Sequence, residues 1–262
     1  MQHSNNTWQK AVTGETHQGF VGAVLEEVRA IPVSREPEIS RTSAPHVRTS
    51  GTEKLDRAVN VLLASVGLLL AAPIMLVFAA LVKLSSPGPI FYAQARVGLD
   101  RRRSSKAKAY DRRARDLGGA PFMIFKLRTM QVGAEKQGAV WAAKGDARVT
   151  RVGRIMRKYR VDEIPQLLNV IRGEMNIVGP RPERPSIFSR LCDDITEYPL
   201  RQRTRPGITG WAQVNQAYDT SIDDVRAKVR YDLEYIERRG VAKDLMIMAR
   251  TVPVMIFRRG GW

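Results

Sequence analysis

The sequence predicts a mainly α protein with short strands, of α+β class, in which a membrane-embedded helix precedes a small cytoplasmic domain. Three observations predict it. Residues 58–82 form a run of about 25 residues without a charge. Apolar residues recur at helical spacing after Thr150, from Ile164 onward and after Ser221. Short alternating stretches at 90–94 and 122–130 read as strands. The expected organisation is a polar tail over 1–52, a membrane helix over 53–84 and a cytoplasmic domain over 85–262.

The tail is rich in Pro, Ser and Thr and lacks sustained periodicity, so it is expected to be disordered apart from one short helix around 21–29. No signal-peptide pattern opens the chain, because the first apolar run lies far from Met1. At 1.5 Å per residue the run at 58–82 is long enough to cross a hydrocarbon core of roughly 30 Å. Lys54, Asp56 and Arg57 flank one end and Lys83 the other, and Pro73 inside the run removes a helical hydrogen bond and bends the axis. Hydropathy alone favours a full span over a helix that bends at Pro73 and returns to the same face. The positive-inside rule places the basic C-terminal part in the cytoplasm.

Ser85-Ser86-Pro87-Gly88-Pro89 then breaks the helix and Ile90–Gln94 forms a strand. Residues 101–115 carry a dense set of Arg and Lys that fits anionic membrane lipids, at about 1 kcal/mol per cation near the surface, or is simply a solvated loop. The strand at 122–130 places Lys126 and Arg128 on one face. Thr150 caps a helix with Val152, Ile155, Met156 and Tyr159 on its apolar side, and Arg157 and Arg160 project from its far end. A second helix has Ile164, Leu167, Leu168 and Ile171 on one face, Pro165 in its first turn and Gly173 at its stop.

Between these helices stands the adjacent pair Asp162-Glu163. An Asp ahead of a helix commonly serves as an N-cap. The helix dipole and neighbouring cations also favour an ionised carboxylate, suited to metal binding or nucleophilic attack. Two proline-rich turns follow, one fixing Arg181 at 176–185, the other spanning 205–211 with Arg205 and Thr209 as phosphate-binding groups and glycines for close ligand approach. Ser221 and Asp224 have capping-box spacing ahead of a helix with Val225, Val229, Leu233 and Ile236 on one side. The segment 245–257 is apolar but interrupted by Arg250, and reads as an interfacial amphipathic helix or a buried core helix.

Composition narrows the chemistry. A net charge of +17 calls for an anionic partner. The single cysteine, Cys192, excludes an internal disulfide and multi-cysteine metal sites, and His3, His17 and His46 all lie in the tail. An enzyme built on this sequence therefore works with carboxylates, Lys, Arg and bound metal. A membrane-anchored nucleic-acid-binding protein is the alternative that charge alone suggests, but no stacked-aromatic RNA motif or clear helix-turn-helix supports it.

Taken together, six ordered motifs resemble the bacterial sugar transferase family, the monotopic phosphoglycosyl transferases. They are Lys54-Leu55-Asp56-Arg57, the run Ser86 to Phe91, Phe125-Lys126-Leu127-Arg128-Thr129-Met130, Val161-Asp162-Glu163-Ile164-Pro165-Gln166, Val178-Gly179-Pro180-Arg181-Pro182, and Arg205 to Val214. The resemblance implies transfer of a sugar-1-phosphate from a nucleotide diphosphate sugar to a polyprenyl phosphate at the inner membrane, ahead of downstream glycosyltransferases. It implies Asp162 as nucleophile, with Glu163 assisting and the two holding Mg²⁺. The substrate phosphates fall to Lys126, Arg157, Arg181, Arg205, Gly207, Thr209 and Gln213. It also implies a re-entrant membrane helix bent at Pro73, although Ala72 stands where the family has Ser. The chemistry is consistent: a carboxylate needs no base to be nucleophilic, but cations and metal must neutralise the diphosphate it approaches.

Overall fold

Arginine side chains terminate two helices and thereby join the apolar helix to the domain. The computed structural model describes residues 50–100, 119–134, 146–216 and 221–256; the expected tail up to residue 49, its short helix and the basic loop 101–115 lie outside the described residues. Helix α1 (Ser50–Ser85) runs unbroken through Pro73, with Glu53 in its first turn and Lys83 in its last complementing the helix dipole. At about 1.5 Å per residue it is roughly 54 Å long. Near its start, Arg57 donates to the carbonyls of Val170 and Ile171 at 2.6 and 2.8 Å, and Asn60 accepts from the Ile177 N–H at 2.7 Å. At its far end, Arg128 donates to the carbonyls of Ser86 and Pro87 at 2.8 and 2.6 Å.

Both flanks of α1 also enter the core. Ala64 packs with Phe122, Ile124, Val170 and Met175, and Val82 packs with Leu127, Met156 and Val161. The stretch between them does not: Leu69, Leu70 and Leu76 are 74%, 75% and 72% exposed. A contiguous apolar face of this kind is unsuited to water.

Strand β1 (Phe91–Val97) pairs antiparallel with β2 (Pro121–Leu127), Tyr92 facing Lys126 and Arg96 facing Phe122. The first strand runs three residues beyond the expected Gln94, because Ala95 and Val97 continue its core-facing alternation. The second stops short of Arg128, which turns away to close the end of α1 rather than sharing a strand face with Lys126. Helix α2 (Arg151–Lys158) begins as expected, with Thr150 Oγ1 accepting from the Gly153 N–H at 2.9 Å. Its expected apolar side is divided: Met156 is buried, while Ile155 and Tyr159 are half exposed.

Helix α3 (Gln166–Arg172) ends at Gly173, whose φ of 82° is the left-handed conformation glycine adopts most readily. Leu167 and Ile171 face the Ala64 cluster as their spacing predicts, but Leu168 is exposed and the buried positions are Gln166, Asn169 and Val170. Asn169 accounts for the difference. Its Nδ2 donates to the Met123 carbonyl at 2.6 Å and to Glu174 at 2.7 Å, and its Oδ1 accepts from the Phe125 N–H at 3.2 Å. One amide thus clips α3 onto the free edge of β2.

Both expected proline turns contain a short strand. Strands β3 (Asn176–Val178) and β4 (Gly207–Thr209) pair in parallel, joined by a crossover through α4 (Pro185–Asp194) and a 3₁₀ helix, Tyr198–Arg203. Gly207 is needed because a Cβ there would collide with the Gly179 nitrogen. After the short α5 (Trp211–Asn215), Ser221 and Asp224 form the expected capping box of α6 (Ile222–Arg238). The buried face of α6 carries Val225 and Val229 and also Asp232 and Tyr235, with Leu233 and Ile236 only partly covered. In α7 (Val241–Ile256), Ile247 is buried against Val178 and Tyr235 while Leu245, Met246 and Val252 are exposed. One side is core and the other is free.

Asn169→Leu keeps the number and branching of the side-chain heavy atoms but strands the Phe125 N–H and the Met123 carbonyl, each at about 1–3 kcal/mol. It is expected to destabilise the purified protein by roughly 2–4 kcal/mol in denaturant titration, whereas Leu168→Ala, at an exposed site, stays within about 0.5 kcal/mol.

Candidate active site

Arg160 is the turning point into the site. It holds φ 57°, the only non-glycine residue with positive φ among the described residues, at a cost of about 1–2 kcal/mol. This left-handed step ends α2 and starts the 3₁₀ helix Val161–Glu163, which carries both carboxylates. The N-cap reading of Asp162 does not survive: Pro165 occupies the cap position of α3, with no side-chain cap, so Asp162 lies a turn too early. Asp162 and Glu163 are each only 6% exposed.

The two carboxylates have opposite surroundings. Glu163 Oε1 meets Arg181 Nη2 at 2.6 Å, Lys126 Nζ at 3.2 Å and Arg160 Nη1 at 3.6 Å. Burial alone raises the Glu163 pKa, but Arg181, Lys126 and Arg160 outweigh it and hold the carboxyl well below the usual range. Asp162, among the described residues, makes no side-chain hydrogen bond and no ion pair. Burial and the adjacent Glu163 charge raise its pKa, against the pull of Lys126, Arg157 and Arg160. The lowering that neighbouring cations are expected to produce therefore prevails at Glu163, while at Asp162 the shift runs the other way. Burial outweighs Coulomb attraction where no cation makes contact. Lys126 is itself pulled below the ordinary lysine range by burial, with Glu163 opposing.

Four of the expected phosphate-binding side chains divide into those at the pair and one elsewhere. Lys126 and Arg181 contact Glu163, and Arg157 is oriented by donating from Nε to Thr129 Oγ1 at 2.9 Å. Arg205 is committed elsewhere: its Nε donates to the Gly173 carbonyl at 3.0 Å, beside Arg57 at the end of α3. The remaining members of that turn have structural partners. Gly207 is filled by the backbone of Gly179 rather than by a ligand, Thr209 Oγ1 lies 2.7 Å from Thr251 Oγ1, and Gln213 Nε2 donates to the Ile208 carbonyl at 3.2 Å.

The structure adds residues that sequence reading passed over. On the Lys126 face of the ribbon, Tyr92, Gln94 and Arg96 form a hydrogen-bonded row, Arg96 Nη2 to Gln94 Oε1 at 2.6 Å and Gln94 Nε2 to the Tyr92 hydroxyl at 3.2 Å. Arg96 continues to Glu183 at 3.2 Å. Their signal was a polar residue at every second position, carried by Arg96 beyond the end assigned to the strand. Arg160 was seen only as a nearby cation, since nothing local announces a left-handed arginine.

The fit of Mg²⁺ follows from the donor set. Among the described residues no group of three or more His, Cys, Asp or Glu gathers to form an all-protein cage. Mg²⁺ usually takes one or two carboxylates together with substrate phosphates. Asp162 offers open carboxylate oxygens for that arrangement. Glu163, expected as the second ligand, is instead occupied by cations that would repel a metal ion.

Residues 51–258 match the family described as bacterial sugar transferase. The chain is 38% identical over 202 residues to the UDP-N-acetylgalactosamine-undecaprenyl-phosphate N-acetylgalactosaminephosphotransferase of Aeromonas hydrophila, covering 77% of this chain and 44% of that protein. It is 40% identical to the UDP-glucose:undecaprenyl-phosphate glucose-1-phosphate transferase of Caulobacter vibrioides, over 76% of this chain and 69% of that one. It is also 36% identical to the exopolysaccharide production protein ExoY of Rhizobium meliloti, over 79% and 87%. The chain thus spans less than half the length of the Aeromonas relative.

The two carboxylates are expected to affect stability in opposite directions. A lowered folded-state pKa means that Glu163 stabilises the fold above the ordinary glutamate range, and that this stability is lost as pH falls through the folded value. A raised pKa means that ionising Asp162 opposes folding as pH rises above the ordinary aspartate range. In chelator at pH 7, Glu163→Gln is expected to lower stability by about 3–5 kcal/mol, because buried cations lose their counter-charge. Asp162→Asn is expected to leave the midpoint unchanged or raise it by about 2–4 °C, as thermal unfolding will read.

Proposed function

The chain belongs to the bacterial sugar transferase family, and from that membership we propose that it transfers a sugar-1-phosphate from a UDP-sugar to undecaprenyl phosphate, starting the synthesis of a polysaccharide or glycoconjugate. Relatives named for UDP-sugar:undecaprenyl-phosphate transfer support the reaction class. Their names differ in the sugar, N-acetylgalactosamine in one and glucose in the other.

The observation that carries the mechanism is the unequal pair. Asp162 is buried without a cationic contact and keeps its lone pairs for a substrate, while Glu163 gathers Arg181, Lys126 and Arg160 beside it. In the first step an Asp162 carboxylate oxygen attacks the phosphorus bonded to the sugar oxygen. The bond between that phosphorus and the oxygen bridging the two phosphates breaks, and UMP leaves with the electron pair. In the second step a phosphate oxygen of the lipid attacks the same phosphorus, the aspartyl–phosphate bond breaks and Asp162 is restored as a carboxylate. Two similar bonds are exchanged, so no outside reactant is required.

The chain's own groups solve the electrostatic problem of bringing an anion to an anion. Glu163 holds Arg181 and Lys126 in place, and Arg157, braced by Thr129, adds positive charge that acts on Asp162. Arg181 offers paired donors to a phosphate where Lys126 acts as a point charge. Asp162 is the carboxylate that would hold Mg²⁺ together with substrate phosphates, and the ion would supply further neutralisation of the diphosphate.

For the apolar helix we propose a re-entrant placement in the cytoplasmic leaflet of the inner membrane. Both flanks of α1 dock on one domain, through Arg57 and Ala64 at one end and Val82 and Arg128 at the other, which supports a helix whose two ends share one side. The exposed leucines between them then face lipid.

Asp162→Asn is expected to abolish UMP release from a UDP-sugar in the presence of Mg²⁺ and undecaprenyl phosphate, with membrane binding unchanged. Substantial turnover by that variant would sink the covalent route. For topology, single cysteines at Ser50 and Asp100 in a Cys192→Ala background are expected to label from the same face of sealed vesicles; labelling from opposite faces would establish a full span.

A further inference from the structure

The loop that delivers Arg181 contains Pro180, Pro182 and Pro185, three residues that have no N–H to offer. Its anchoring falls to its carbonyls, and four consecutive ones are bound by other parts of the fold, that of Pro180 by the Gly207 N–H at 3.0 Å. The Arg181 carbonyl accepts from Arg201 Nη2 at 2.9 Å, the Pro182 carbonyl from Arg96 Nη1 at 3.3 Å, and the Glu183 carbonyl from the Val97 N–H at 2.9 Å. Of these donors Arg201 is the deepest. Its side chain is 0% exposed, it lies over the Tyr198 ring at 4.8 Å, and its Nε meets Asp232 Oδ2 of α6 at 2.7 Å, with Asp232 2% exposed.

A buried ion pair is weak support for stability, because well-packed apolar residues of similar volume commonly do as well or better. Arg201 even leaves Nη1 without an acceptor, a further cost of keeping a guanidinium in the core. What an apolar side chain could not supply is the bond to the Arg181 carbonyl. The direction of that bond matters, since the guanidinium of the same Arg181 reaches Glu163 at 2.6 Å. Asp232 fixes Arg201, Arg201 fixes the Arg181 backbone, and Arg181 completes the cationic side of the carboxylate pair.

We propose that Arg201 and Asp232 are positioning residues for the transfer reaction, holding Arg181 in register with Glu163 from within the core. The proposal rests on the reading of Asp162, Glu163 and Arg181 as the catalytic centre. Neither Arg201 nor Asp232 touches substrate. A displacement of about 1 Å in a charge-stabilising group can cost on the order of 100-fold in rate, which is the scale such a support protects.

The test combines the double variant Arg201→Met/Asp232→Leu with Arg201→Lys. The double variant removes the pair without leaving a lone buried charge, and is expected to unfold within about 5 °C of the parent protein. Lysine keeps the charge opposite Asp232 but, as a point donor, cannot span both the carboxylate and the carbonyl. In both variants kcat for UMP release is expected to fall at least about tenfold with KM for the UDP-sugar changed less than about threefold. Hydrogen exchange in the segment 179–190 is expected to accelerate while exchange in β1 and β2 stays as in the parent. A folded double variant with kcat within twofold of the parent overturns the proposal, as does unchanged exchange in 179–190. If the double variant fails to fold, Arg201→Lys decides on the same two readouts. If the parent releases no UMP from any UDP-sugar, the proposed reaction has failed, and the exchange measurement alone decides whether the pair holds the loop.

Discussion

Glu163 presents a single buried carboxylate oxygen on which three separately folded segments converge. Lys126 comes from the β1–β2 ribbon, Arg160 from the left-handed exit of α2, and Arg181 from the loop after β3. None of these cations could be brought so close to the others without that negative charge. Removing a buried partner of this kind leaves uncompensated charge rather than an absent bond, so the site's electrostatics and the packing of the domain are one problem. The arrangement also gives two chemically similar neighbours different surroundings. Glu163 is fully used by the protein, and Asp162 is left available.

The same economy governs how the apolar helix is attached. Helix ends leave unsatisfied carbonyls, and here Arg57 and Arg128 satisfy those of α3 and α1 from a distance in sequence. Each guanidinium performs a capping task usually left to local glycine or water. In doing so each joins α1 to the domain by polar bonds that do not slip as apolar contacts can. Arg205, beside Arg57 at the Gly173 carbonyl, belongs to this structural set.

Much of this was legible in the sequence where a local rule governs. Thr150, Gly173 and the Ser221–Asp224 box fixed helix ends through chemistry contained within a few residues. The carboxylate pair, Lys126 and Arg181 stand in the motifs, and Arg157 was placed by the helix that Thr150 caps. Side chains whose role depends on remote partners were not. Asn169 lies outside the apolar stripe predicted for its helix and is the clip on β2. Asp232 lies outside the stripe predicted for α6 and is buried against Arg201. The turn at 205–211 is of a related kind: Gly207 and Gly210 lie against the Gly179 backbone, a demand that sequence cannot distinguish from room for a ligand.

The fastening of α1 at Ser86 and Pro87 has a mechanical side. Arg128 grips those carbonyls, and Lys126, two positions earlier and near the end of β2, touches Glu163. The far end of the apolar rod is therefore linked to the carboxylate pair by one guanidinium and two peptide units. A rod held at both ends cannot tilt independently of the body that holds it, so strain from its surroundings is delivered to β2. Any displacement of the apolar rod thus becomes an input to the geometry of the pair, with the backbone of residues 126–128 acting as a lever arm.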